Sequence, residues 1–319
     1  MKAGVASPEG LVVREVPEPK PGPADLLVRV RAAALNRADL GAARAEPGKG
    51  AGKPIGIEFA GEVLSVGSDV RGFSTGDRVM CHASGSHAEF ALCDYRRAVK
   101  IPDGMGFEAA ATLPVGLNTL HNALVTAGRL TAGEYVLIQG ASSGVGIIGL
   151  QMARLLGAGF VAGTSTDAGR RARLREFGAD LALDIADATW PEQLLDATRG
   201  KGLDLTVDML SGPTVNQTMR CTAIRGRIVN IGRLAGMTAA FDFDAHARLR
   251  IDYVGVTFRT RSIEEVHDVL VRMRNDLWED VAAGHIRVPV DRTFPLAEAR
   301  EAHAHMRANR HFGKILLIP

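Results

Sequence analysis

Three glycines spaced to admit a phosphate stand at the centre of this chain, Gly144, Gly146 and Gly149, in the order G-x-G-x-x-G. Glycine there lets bare backbone approach a pyrophosphate, and the free N–H groups of a helix N-terminus meet its charge. Ser143, Gly144, Val145 and Gly146 supply the amides that this reading assigns to the phosphate. Glycine-rich turns also join strands to helices for packing alone, so context decides. An apolar run at 136–139 precedes the glycines, and Ile147, Ile148, Leu150, Met152, Leu155 and Leu156 recur at helical spacing after them. A second apolar run, 159–164, ends about twenty residues past Gly144, the spacing of a βαβ dinucleotide unit.

A site for NAD usually has Asp or Glu at the end of that second strand to accept the ribose 2′-hydroxyl. Here Thr164, Ser165 and Thr166 stand there, followed by Arg170 and Arg171. Hydroxyls and a guanidinium suit a 2′-phosphate, which a carboxylate repels, so the expected cofactor is NADPH with Thr164, Ser165 and Arg170 among its contacts. With Arg173 and Arg175 nearby, the alternative for these arginines is a solvated helix face. Cys81, His82, His87 and Cys93 have the ligand types zinc prefers, but their spacing matches no usual pattern and no metal is expected. His303 and His305, two apart on a helix, point in different directions and are expected at the surface.

The elements that must position these residues fall into two textures. Up to about residue 117, short runs at 11–16, 25–34, 56–67, 78–81 and 87–92 alternate with Pro and Gly and imply a mostly β domain. The polar, glycine-rich stretch 45–53 reads as a loop able to border a cleft. Beyond it, helices at 108–113 and 119–128 lead into the glycine turn, and apolar runs at 181–184, 203–209, 227–231 and 252–258 alternate with helical stretches. That pattern implies a doubly wound parallel sheet, an α/β fold whose ligands bind at the C-terminal strand ends. Asp208, Met209, Asn230, Ile231 and Gly232 lie at such ends. Helices at 263–281 and 296–307 and a strand at 314–318 complete the chain.

The 38 basic and 36 acidic residues are interspersed and leave a net charge of +2, so no basic field marks a nucleic-acid partner. No apolar run approaches a membrane span, and the N-terminus lacks a signal-peptide core. With three scattered cysteines, a cytoplasmic protein in a reducing compartment is expected.

Several stretches go further: L-N-R-A-D-L at 35–40, G-I-E-F-A-G at 56–61, G-D-R-V at 76–79, F-G-A-D at 177–180, R-T-R-S at 259–262 and F-G-K-I-L-L at 312–317. Over nearly its full length the chain thereby resembles the zinc-independent quinone oxidoreductase (zeta-crystallin-like) branch of the medium-chain dehydrogenase/reductase superfamily. The resemblance implies a GroES-like catalytic domain from 1–117 and 258–319, a Rossmann dinucleotide-binding domain at 118–257, and an active cleft where they meet. It also implies a homodimer that pairs the edge strands at 252–258. Zinc alcohol dehydrogenases of the superfamily carry G-H-E where this chain has Gly56-Ile57-Glu58, and isoleucine cannot ligate a metal. Asn36 and Asp39 are implied beside the nicotinamide as catalytic residues, Asn36 as an amide donor to a developing oxyanion. Lys314, in the last motif, is counted with Asn230 and Gly232 among the cofactor contacts. Two departures stand out: Ala45 replaces a cleft-facing Tyr of many members, with Lys49 and Lys53 nearby, and Ile185 replaces a Tyr that lies near the adenine in some. The expected activity is zinc-independent, NADPH-dependent hydride transfer to a quinone. Reduction of an activated C=C bond is the alternative, and a nucleotide-binding protein with little turnover is the rival from another class.

Overall fold

The computed structural model describes residues 1–319. The chain divides into two compact units, one of Met1–Val115, Ser262–Val271 and Val281–Pro319, the other of Gly116–Arg261 and Arg272–Asp280.

The first unit is a GroES-like, mostly β domain. Its early strands are β1 (Lys2–Val5), β2 (Val12–Glu15), β3 (Asp25–Ala34), β4 (Phe59–Val66), β5 (Arg78–Cys81), β6 (Phe90–Asp94) and β7 (Ala98–Lys100). The long β3 alternates as a half-buried strand should, turning Leu26, Val28, Val30 and Ala32 inward. Leu26, Val28 and Val30 join a core that includes Phe59, Val63, Val79, Ile315 and Leu317.

The second unit is a Rossmann domain of six parallel strands: β8 (Tyr135–Ile138), β9 (Phe160–Thr164), β10 (Leu181–Leu183), β11 (Leu203–Asp208), β12 (Thr222–Asn230) and β13 (Asp252–Gly255). Their spatial order is β10-β9-β8-β11-β12-β13. Numbered within the unit this is 3-2-1-4-5-6, which puts the reversal of strand order between β8 and β11 and a crevice at their C-terminal ends. One face of the sheet packs Leu137, Ala162, Leu183 and Leu203 against Trp190 and Leu194. The chain then returns to the β unit for β14 (Val290–Pro295) and β15 (Lys314–Ile318). Its main sheet runs β14-β15-β3-β4-β5-β7, with β6 also paired to β3.

The sequence pattern misplaces a few boundaries. The run at 87–92 becomes strand only from Phe90, because His87 is held by backbone bonds to Gly4 and Ile55 in a non-strand segment. The edge strand stops at Gly255. β1, β7 and β14 are too short or too polar to stand out by periodicity. No helix is long and apolar enough to cross a membrane.

Candidate functional site

In the Rossmann unit the site is a loop between β8 and helix Gly144–Leu155. The sharp bend falls at Gly140, whose φ of +64° L side chains rarely adopt. Gly140 N–H donates to Thr164 Oγ1 at 3.0 Å, and Ala141 N–H to the Thr164 carbonyl at 2.9 Å, so the ends of β8 and β9 are clamped together. Ser143 is the helix N-cap: its Oγ accepts from Gly146 N–H at 3.1 Å and donates to Gly140 O at 2.9 Å. Ser143 N–H also closes the turn, onto Gly140 O at 3.1 Å. The first-turn donors left without a partner in the turn are therefore those of Gly144 and Val145. Gly146 serves a second purpose. A Cβ there would lie 2.6 Å from both Ala141 Cα and Gly140 O, so only glycine lets the helix start this close to the strand.

At the end of β9, Thr164 and Ser165 are buried, and Ser165 Oγ donates to Ser142 Oγ at 3.1 Å. Arg171 bonds the Ser165 carbonyl at 2.9 Å and Asp184 at 3.0 Å, which fixes it as a structural residue. Arg170 has Asp167 as a neighbour, with 3.6 Å between Nε and Oδ1. Asp167 also caps the following helix by accepting Arg170 N–H at 2.8 Å, and these contacts hold its carboxyl below its usual range. Across the sheet, Asn230 donates its amide to Ser211 Oγ and to Gly232 O, the latter at 3.0 Å. Asp208 Oδ1 accepts the N–H groups of Leu210 and Ser211, both at 2.8 Å. These bonds shape the two loops beyond β11 and β12.

In the β unit, strand register brings distant residues together. β3 lies between β4 and β15, with Ala33 opposite Phe59 and Ala34 opposite Leu316. Just beyond the end of β3, Asn36 therefore meets Glu58 and Lys314. Its Nδ2 donates to Glu58 Oε1 at 2.8 Å and, at 3.4 Å, to Ala34 O, while its Oδ1 accepts from Lys314 Nζ at 2.9 Å. Lys314 also pairs directly with Glu58 Oε1, and Glu58 Oε2 accepts Val115 N–H at 2.8 Å. Lys314 is 3% exposed and Glu58 0%, so this is a buried ion pair whose lone pairs are largely satisfied. Asn36 also caps helix Arg37–Ala42, with its N–H donating to Asp39 Oδ2 at 2.7 Å.

The Asn36 amide is thus engaged within the protein, and Lys314 is bound to Glu58 and Asn36. Sequence reasoning did not single out Glu58 as a site residue, and it weighed His87 only as a zinc-type ligand and set it aside. A lone carboxylate inside the apolar run G-I-E-F-A-G was the available signal for the first. His303, expected at the surface, is fully buried, because helix Ala299–Arg307 packs that face inward. His305 is partly exposed and bonds Asp291 at 2.8 Å. Lys49 and Lys53 are exposed, and Ala45 packs partly buried against the core.

Residues 22–103 match the alcohol dehydrogenase GroES-like domain, and residues 177–317 the zinc-binding dehydrogenase family. The zinc in that second description finds no fit here, since no three His, Cys, Asp or Glu side chains converge as a metal would require. The chain is 31% identical to the quinone oxidoreductase of Pseudomonas aeruginosa, over 99% of its own length and 98% of that protein's. It therefore belongs to the medium-chain dehydrogenase/reductase superfamily, on the quinone oxidoreductase branch. It is also 32% identical to the phthioceranic/hydroxyphthioceranic acid synthase of Mycobacterium tuberculosis over 93% of this chain, which spans only 14% of that synthase. Among solved structures, a mycobacterial protein complexed with NADPH superposes with a TM-score of 0.88 at 26% identity, covering 100% of both chains.

Proposed function

We propose that the chain is an NADPH-dependent reductase that transfers hydride to a quinone. The observation that carries this reading is the turn at 140–146: a strand, a left-handed glycine, a capped helix start with two amides unused by the turn, and a glycine that no other residue can replace. The nicotinamide supplies the hydride. Gly144 and Val145 donate to the pyrophosphate, with Ser143 and Gly146 holding the turn in shape. Thr164, Ser165 and Arg170 take the 2′-phosphate, where the strand end offers hydroxyls and a guanidinium. Asn230 and Gly232 border the cofactor through the loops they shape.

Asn36 and Asp39 are the residues assigned to the reacting end, with Lys314 behind them. The Asn36 amide reaches an acceptor oxygen by giving up its long 3.4 Å contact to Ala34 while keeping the bond to Glu58. Such a donor stabilises charge that develops only during hydride transfer. A hydride and a proton reduce a quinone or an enone equally well, and the Tyr acid of many relatives is replaced by Ala45. Reduction of an activated C=C bond is therefore the second reading, favoured by Lys49 and Lys53 for an anionic acceptor. A homodimer through β13, which is free on one side of the sheet, belongs to the same reading.

The test is steady-state oxidation of NADPH and NADH by chelator-treated protein, offered a small quinone, a 2-alkenal and an acrylate separately. Turnover that survives chelation, prefers NADPH and loses that preference in Arg170→Ala supports the proposal, and the faster acceptor chooses between quinone and alkene. NADPH binding without turnover of any acceptor would replace it with a binding role.

A further inference from the structure

Helix Arg37–Ala42 carries Asp39 into a fully enclosed position where the surrounding charges do not cancel its own. From β15 it faces the Lys314 ammonium, and from the segment before β4 the Glu58 carboxylate, two groups that neutralise each other in direct contact. From the segment before β6 comes His87, whose Nε2 lies 3.7 Å from Asp39 Oδ2. Behind His87 stands His303 of helix Ala299–Arg307, the ring centroids 5.6 Å apart and edge to face, and His303 in turn faces Arg307. Asp39 Oδ1, Ser86 Oγ and both ring nitrogens of His87 and His303 are buried without a hydrogen-bond partner in the chain. Gly56 makes room for this arrangement. Its φ is +94°, and a Cβ would come within 2.2 Å of Ser86 Oγ and 2.4 Å of His87 Cδ2.

We propose that Asp39 and His87 share one proton that is released around neutral pH, so that below neutrality the pair is an uncharged acid one hydrogen bond from Asn36. A carboxylate facing a neutral imidazole would leave an uncompensated charge in the interior, and a proton on either partner removes it. Burial decides which partner carries it. It drives the Asp39 carboxyl up to about 7 against the opposing pull of Asn36 N–H and Lys314, and drives the His87 imidazole down to about 3. Burial thus favours Asp39 over His87 as the carrier of the proton, and the titration belongs to the pair.

This inference rests on the proposed hydride transfer only in its consequence for turnover. Loss of the proton as pH rises places a negative charge beside Asn36, where it opposes charge developing on an acceptor oxygen, so turnover falls with rising pH. Asp39 acts here as a positioning residue, through Asn36 and through its charge, with His87 as its partner.

Carbon-13 NMR of the full chain, with the Asp39 carboxyl assigned by comparison with Asp39→Asn, reads the proton without any acceptor. A midpoint near neutrality supports the pair. A midpoint in the ordinary carboxylate range, about 4, overturns it whatever the enzyme does. In turnover, the wild type is expected to fall about tenfold between about pH 6 and about pH 8.5, whereas Asp39→Asn, which keeps an acceptor for Asn36 N–H, stays flat. An equal fall in the variant overturns the assignment to Asp39. If Asp39→Asn does not fold, His87→Phe is expected to move the carboxyl midpoint by about one pH unit, and an unmoved midpoint overturns the pairing. A neutral midpoint with no turnover of any acceptor would remove the proposed function and leave the shared proton standing.

Discussion

The glycine turn of the Rossmann unit and the buried cluster of the GroES-like unit handle charge by opposite means. The turn carries no ionised side chain of its own and presents backbone N–H groups and hydroxyls, supplied by residues within a few positions of one another. The cluster uses full charges, Glu58 and Lys314, and gathers them from the two ends of the chain: Asn36 and Lys314 are 278 positions apart. A backbone site tolerates solvent and depends on shape. A buried ionic site depends on every partner being present, because a lone charge in the interior is costly.

The contrast is broken most severely at Glu58. Glu58→Ala leaves Lys314 buried without its counter-ion, and urea denaturation should show a loss of about 3–5 kcal/mol. A loss within the range of a surface substitution would mean that the ion pair adds nothing to the β unit. Gly146→Ala tests the turn by shape alone. Its new methyl meets backbone atoms that cannot rotate away, so about 1–3 kcal/mol of stability should be lost together with most NADPH affinity, read by fluorescence titration. Unchanged binding would show that the helix start need not sit so close to β8.

The smallest effect per group comes from pH. Burial pushes His82 and His87 down to about 3 and His303 to about 4, from an ordinary value of 6.5. The unfolded chain protonates these side chains below 6.5 and the folded chain does not, so their stabilisation is present above that value and is lost as pH falls. Asp39, raised to about 7, works in reverse: its contribution is full below its ordinary 3.8 and is lost as pH rises toward 7. Three groups outweigh one, and acidification below about pH 6 should cost on the order of 2 kcal/mol per pH unit. Equal urea midpoints at about pH 7 and about pH 5 would contradict neutral, buried histidines.

What the sequence determined by itself is local. A strand, glycines and a helical apolar stripe in succession specify the βαβ turn, because backbone conformation over a few residues answers to those residues. The same reasoning made β3, β5 and β15 legible to the residue, since alternating or β-branched runs bounded by Pro and Gly leave few other conformations. Asn36 and Asp39 came from the resemblance carried by L-N-R-A-D-L, which did not supply their partners. Only the structure decided that Gly144 and Val145, rather than Ser143 and Gly146, keep amides unused by the turn, because the other two bond within it. Only strand register, Ala34 opposite Leu316 and Ala33 opposite Phe59, set Lys314 and Glu58 around Asn36. His303 was unreadable for a related reason. A helix's spacing defines its faces, but which face is buried depends on what packs against it, and that is decided by residues far away in the chain.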